Sequence, residues 1–140
     1  FRKWSKEGII DLIISDLQVI VRLRAGRKAS PSALLIDAQI VKNTSFSTKH
    51  VGFDGGKKIN GRKRHIITDT MGNLVAVKVH SANLHDSKSA KMVLATIYKN
   101  KVDFPRLTIL LADKGCTEVN GLTGQKYLNI RLEVVKSIQN

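Results

Sequence analysis

A run of four apolar residues, Ala33-Leu34-Leu35-Ile36, ends abruptly in Asp37. Preceded by Ser30, Pro31 and Ser32, it opens a strand over residues 33–41 that reads as buried on both faces. A carboxylate at the mouth of such a strand is costly unless a metal, a hydrogen-bond donor or water receives it. The pattern recurs at residues 107–112, Leu-Thr-Ile-Leu-Leu-Ala, which run into Asp113 and then Lys114 and Gly115. Taken singly, either Asp reads as a turn former or helix cap. Taken together, two buried strands that each end in Asp bring two carboxylates to one edge of a parallel sheet.

The charge balance points to a partner. Lys and Arg number 24 against 11 Asp and Glu, a net +13 in 140 residues. Such an excess repels itself unless a polyanion compensates, so nucleic acid is the leading partner, with a solvated basic surface or anionic lipid as the alternatives. Lys57, Lys58, Arg62, Lys63 and Arg64 cluster within eight positions. A second group, Arg22, Arg24, Arg27 and Lys28, precedes the first strand, and each of these side chains can neutralise a phosphate.

The length suits one globular domain with an ordinary core. No apolar stretch approaches the roughly 18 residues of a membrane span. The lone Cys116 excludes an internal disulfide. With no signal peptide, the expectation is a cytoplasmic protein. A start at Phe1 instead of Met suggests a missing upstream segment.

In chain order, residues 6–23 are expected to form a helix. Ser5 is its cap, and Ile10, Ile13, Ile14, Leu17, Ile20 and Val21 form one stripe against the sheet or an upstream part. Residues 1–30 thus form an N-terminal helix and basic linker, and residues 31–140 the core. Residues 42–51 read as loop, and His50 there receives no role. Residues 52–82 read as antiparallel strands. Asp54-Gly55-Gly56, Asn60-Gly61 and residues 69–73 are the expected turns, and Asp54 and Asp69 are turn acids. In the returning strand Val75, Val77 and Val79 face one way, and Lys78 and His80 the other. Asp86 or Ser87 opens a helix whose Ala90, Val93, Leu94, Ile97 and Tyr98 face the sheet; His85 is read as part of that helix start. A weak helix over 118–128 and a last strand over 130–135 complete the pattern. Strand, two antiparallel strands, helix, strand, helix, strand gives a mixed α/β sheet with the first and fourth strands parallel and adjacent. Asp37 and Asp113 then meet, as divalent-metal phosphodiester chemistry requires: two metals about 3.5–4 Å apart can bind the attacking and leaving oxygens.

The stretch VGFDGGKKINGRKRHIITDTMG at 51–72 resembles bacterial insertion-sequence transposases of the DDE class, of the insertion sequence four/five-like group. Asp-Ala-Gln at 37–39, Ala-Asn-Leu-His-Asp at 82–86 and Ala-Asp-Lys-Gly at 112–115 fit the same pattern in the same order. Phe-Arg-Lys-Trp at 1–4 and Leu-Glu-Val-Val-Lys at 132–136 extend it over nearly the whole chain. The resemblance implies a ribonuclease H-like fold with a mixed five-stranded sheet. It implies Asp37 and Asp113 as the first two acids of a metal triad holding Mg²⁺ or Mn²⁺, two ions in the complete enzyme. It implies cleavage and strand transfer on element ends and target DNA, by a homodimer on DNA. Two departures stand out. Cys116 replaces a usual tyrosine, and the third acid, a glutamate on a later helix, is not reached before Asn140. Neither Glu118 nor Glu133 matches its position. The expectation is therefore a core truncated before its third ligand and inactive alone. The alternatives are a nucleic-acid-binding remnant without catalysis, or a hydrolytic nuclease of the same fold.

Overall fold

The structure is a computed structural model that describes residues 1–44, 51–84, 92, 95–97, 104–113 and 130–135. The expected helices over 86–98 and 118–128 lie largely or wholly outside these residues, as do His50, His85, Cys116 and Glu118.

Two helices open the chain, α1 (Arg2–Lys6) and α2 (Ile9–Arg24). They are separate because Gly8 adopts a left-handed φ of 71°, a conformation glycine tolerates without cost, and it rather than Ser5 caps α2. Asp11 in the first turn of α2 and Arg22 and Arg24 in the last complement the helix dipole. The expected apolar stripe does not turn inward: Ile13, Leu17, Ile20 and Val21 are all exposed. Ile10, Ile14, Gln18 and Arg22, spaced by four, form the covered side instead, and Arg22 is the buried residue of the helix. Helix α2 touches the sheet through Gln18, whose side-chain amide donates to the Leu74 carbonyl, and through Arg22. Between these contacts lies a cleft of about 830 Å³.

The strands are β1 (Ala33–Lys42), β2 (Gly52–Asp54), β3 (Ile59–Asp69), β4 (Leu74–Ser81), β5 (Ile109–Asp113) and β6 (Arg131–Val135). They form one sheet of six, not five, in the order β2-β3-β1-β5-β6, with β4 also on β3. The short β2 is the added strand. It arises because Asn60-Gly61 does not turn: both residues pair within β3, opposite Phe53 and Gly52. The turn falls earlier, where the Asp54 carboxylate accepts the Lys57 backbone N–H at 2.8 Å and Lys58 takes φ 53°. β1 runs parallel to β5, and β5 to β6, while β3 is antiparallel to both β1 and β4. The path β4-β3-β1-β5-β6 with this polarity is the ribonuclease H-like sheet.

The core lies on one face. Leu34 and Ile36 of β1, Ile67 of β3 and Leu110 of β5 gather with Ile97, Leu107 and Ile130, and with Val75, Ala76, Phe104 and Leu132 around them. Strand β1 is therefore buried on one face, not on two: Leu34 and Ile36 point inward, while Leu35 and Val41 are exposed. Strand β4 follows the expected alternation except at Val75, where a register irregularity opposite Ile67 and Thr68 turns it toward the core. His80 is buried on that inner face and stacks on His65, with ring centroids 5.1 Å apart.

Candidate active site

The two Asp residues stand at the ends of neighbouring strands. Parallel pairing of β1 with β5 runs from Ala33 opposite Ile109 to Ile36 opposite Ala112. Asp37 and Asp113 are the next residue on each strand. Asp113 in turn lies opposite Val135 of β6. Strand alternation assigns Asp37 to the sheet face opposite the core. Asp37 is exposed there, and its carboxylate accepts the Ala38 backbone N–H at 2.8 Å. Beside it is an open depression of about 440 Å³ lined by Leu35, Ile66, Thr68, Leu111 and Val135. These side chains make an apolar floor next to a charged group.

Carboxylate oxygens are hard donors of the kind Mg²⁺ and Mn²⁺ take, so the donor chemistry at these strand ends fits such an ion. Among the described residues no group of three potential ligands converges. Glu133 belongs to the same sheet face, opposite Leu111. Its carboxylate is committed to Arg131 at 2.6 Å.

The five basic residues expected to meet DNA divide in two. Arg62 and Arg64 occupy alternate positions of β3 opposite Val41 and Gln39 of β1, on the face of Asp37. Arg64 donates through Nε to the Gln39 side-chain carbonyl at 3.0 Å, and its Nη2 donates to the same oxygen. Lys57 and Lys58 stand exposed on the β2–β3 turn. Lys63 points the other way: it is buried, with its ammonium 3.4 Å from the Asp54 carboxylate. It differs from the other four because successive strand residues face opposite sides, and a run of three basic residues in a strand cannot present all of them to one partner. The Lys57 backbone N–H, against a smaller opposing push from burial, and the Lys63 ammonium hold the Asp54 carboxyl below its ordinary range.

The second basic group divides likewise. Arg22 is buried, with Nη1 2.6 Å from the Asp69 carboxylate and Nε donating to the Lys28 carbonyl at 2.8 Å. Asp69 also accepts the backbone N–H groups of Met71 (2.8 Å) and Asn73 (2.9 Å) and the Asn73 amide (3.0 Å). It is a turn acid, as expected, and an anchor for α2 as well. Burial pushes its carboxyl up, but the bonds from Asn73, Arg22 and Met71 together outweigh this and hold it below the ordinary value. Arg24, Arg27 and Lys28 remain exposed.

In the sequence Gln39 stands out only as part of a motif, and Arg22, grouped there with the phosphate-neutralising cations, is instead a buried partner of Asp69. Gln39 lies two residues beyond Asp37, and that spacing alone puts both on one strand face. Nothing local marks Arg22, whose partner is 47 positions away.

By strand order and polarity, then, the chain is of the ribonuclease H-like class. Residues 28–123 match the family described as the transposase DDE domain, and the chain belongs to that family. Domains of this family depend on divalent metal ions. Among solved structures, the chain is similar to a piggyBac transposase, determined by cryo-EM as a synaptic complex with hairpin DNA. The TM-score is 0.49 at 12% identity, over 79% of this chain and 24% of that one. No curated protein matches the chain.

Proposed function

We propose that this chain carries the catalytic core of a DNA transposase, with Asp37 and Asp113 as ligands for Mg²⁺ or Mn²⁺. The observation that carries the reading is the parallel register of β1 and β5, which ends one residue short of both acids. When bound, the metal would polarise a scissile phosphate and lower the pKa of an attacking water or hydroxyl. The chain's own residues supply the rest. Asp37 offers an exposed carboxylate beside the apolar floor of Leu35, Ile66 and Leu111, and Arg62 and Arg64 offer cations to DNA on the same face. Four of the five clustered basic residues then remain as DNA ligands: Lys57, Lys58, Arg62 and Arg64.

The finer assignment is to insertion-sequence transposases of bacteria, acting in the cytoplasm as dimers on DNA with two metal ions. It is supported by the motifs at 37–39, 51–72, 82–86 and 112–115. Binding of Mn²⁺, followed by its electron paramagnetic resonance signal, tests the metal site without requiring turnover. Asp37→Asn and Asp113→Asn should each weaken Mn²⁺ binding at least tenfold and abolish any metal-dependent nicking of duplex DNA. Unchanged Mn²⁺ affinity in both variants would refute the site.

A further inference from the structure

The side of β1 that carries Asp37 also carries a cross-strand pair in which a cation of the basic cluster is held by a neutral side chain. Gln39 accepts two N–H groups of Arg64, from Nε and Nη2, on a single oxygen. A neutral carbonyl is an informative partner. It orients the guanidinium without neutralising it, so the cation stays available to an anion, whereas the Asp54 and Asp69 carboxylates neutralise Lys63 and Arg22. The pair is also exposed, so an anion can reach the guanidinium edge that Gln39 leaves open. Its place in the register is fixed: Gln39 lies opposite Arg64, and Asp37 opposite Ile66. Gln39 lies two steps along the strand from Asp37, about 6.6 Å at roughly 3.3 Å per residue.

From this the geometry points to a phosphate subsite beside the metal-binding acids, in which Arg64, oriented by Gln39, receives a DNA backbone phosphate flanking the one presented to Asp37. The inference rests on the reading of the chain as a DNA-cutting core and deepens it. Gln39 is a positioning residue: it touches no substrate and acts through Arg64. The planar guanidinium is suited to the task because its fork matches two phosphate oxygens, which a lysine ammonium cannot do. Arg62, two positions back along β3 on the same face, extends the cationic row away from Asp37. The turn lysines Lys57 and Lys58 add charge farther from the acids.

The test is a salt titration of short-duplex binding by fluorescence anisotropy, with thermal melts to verify that each full-length variant is folded. Arg64→Gln should lower the slope of log K against log salt by about 0.9, one phosphate contact. Gln39→Ala leaves the net charge unchanged but should weaken binding roughly fivefold, the size of one neutral hydrogen bond, with no change in melting temperature beyond that of an exposed substitution. In the Arg64→Gln background, Gln39→Ala should have no further effect on binding. Arg64→Lys should retain the slope but lose the dependence on Gln39. Equal losses from Gln39→Ala in both backgrounds, or an unchanged slope in Arg64→Gln, would overturn the subsite while leaving salt-dependent DNA binding intact. Absence of salt-dependent binding by the unmodified chain would instead overturn the DNA-cutting reading and the subsite with it.

Discussion

Replacing Arg22 by Ala should unfold this protein far more readily than loss of any exposed arginine. The side chains of Arg22 and Asp69 are only 6% and 2% exposed, with 2.6 Å between them. Removing one member of a buried pair leaves the other charge without compensation, which typically costs about 3–5 kcal/mol. Here Asp69 keeps three other donors, from Met71 and Asn73, so the lower end, about 3 kcal/mol, is expected. At about 3–4 °C per kcal/mol for a chain of this size, the melting temperature should fall on the order of 10 °C. Asp69→Ala should cost more than Arg22→Ala, because it also strips the turn between β3 and β4 of its acceptor.

The pH dependence has a definite sign. The Asp69 carboxyl is depressed in the folded state, so its contribution is fully present above the ordinary value near 3.8 and is lost as pH falls through the lower folded value. Without Arg22 the upward push of burial remains while one opposing donor is gone. Acid unfolding of Arg22→Ala should therefore begin at higher pH than in the unmodified chain. Urea denaturation of both single variants and the double variant, followed by circular dichroism, gives the coupling energy directly. If Arg22→Ala costs less than about 1 kcal/mol, or if the two losses simply add, the pair is not the anchor described above.

Two further outcomes can be measured with the same variants' methods. Gly61→Ala should destabilise the sheet by about 1–3 kcal/mol or more in urea, since a Cβ there would lie 2.1 Å from the Val41 carbonyl oxygen and 3.0 Å from its carbon, both backbone atoms. Lys63→Gln should leave the salt slope of DNA binding unchanged, while conversion of Lys57, Lys58, Arg62 and Arg64 to Gln should lower it by up to about 3.6, at roughly 0.9 per contact.

The strands were legible because their signals are local. Four apolar residues followed by Asp37, and the alternation along β3 and β4, need no distant partner to be read. The parallel neighbours β1 and β5 followed from the element order, since consecutive antiparallel strands leave the opposite edge of β1 free for the strand that returns after the crossover. Legibility ended where packing decides. The stripe of Ile13, Leu17, Ile20 and Val21 predicts a buried helical face, yet the covered side is set by Arg22 and Gln18 reaching distant polar groups. The same limit applies to Lys63 and His80, whose composition says surface and whose strand parity says interior. Asn60-Gly61 reads as a turn because glycine permits one. Here glycine serves close approach of β1 to β3 instead.

The division of the sheet into a packed face and an open one ties the core to the chemistry. Side chains alternate along β1, so Leu34 and Ile36 can enter the core only if Leu35, Asp37 and Gln39 leave it. A slip of one residue against β3 or β5 would bury Asp37 and expose Leu34, a double penalty in hydrophobic burial and charge desolvation. Leu34, Ile67 and Leu110 are exposed by 0%, 1% and 1%, so that register is held by the best-packed contacts in the sheet. The pairing of Gln39 with Arg64 and the arrival of Asp37 at the end of the β1–β5 ladder are consequences of the same register. The site therefore needs no separate device to bring its strands into line. Apolar residues of the core thus set which carboxylate stands at the strand end and which arginine pairs beside it.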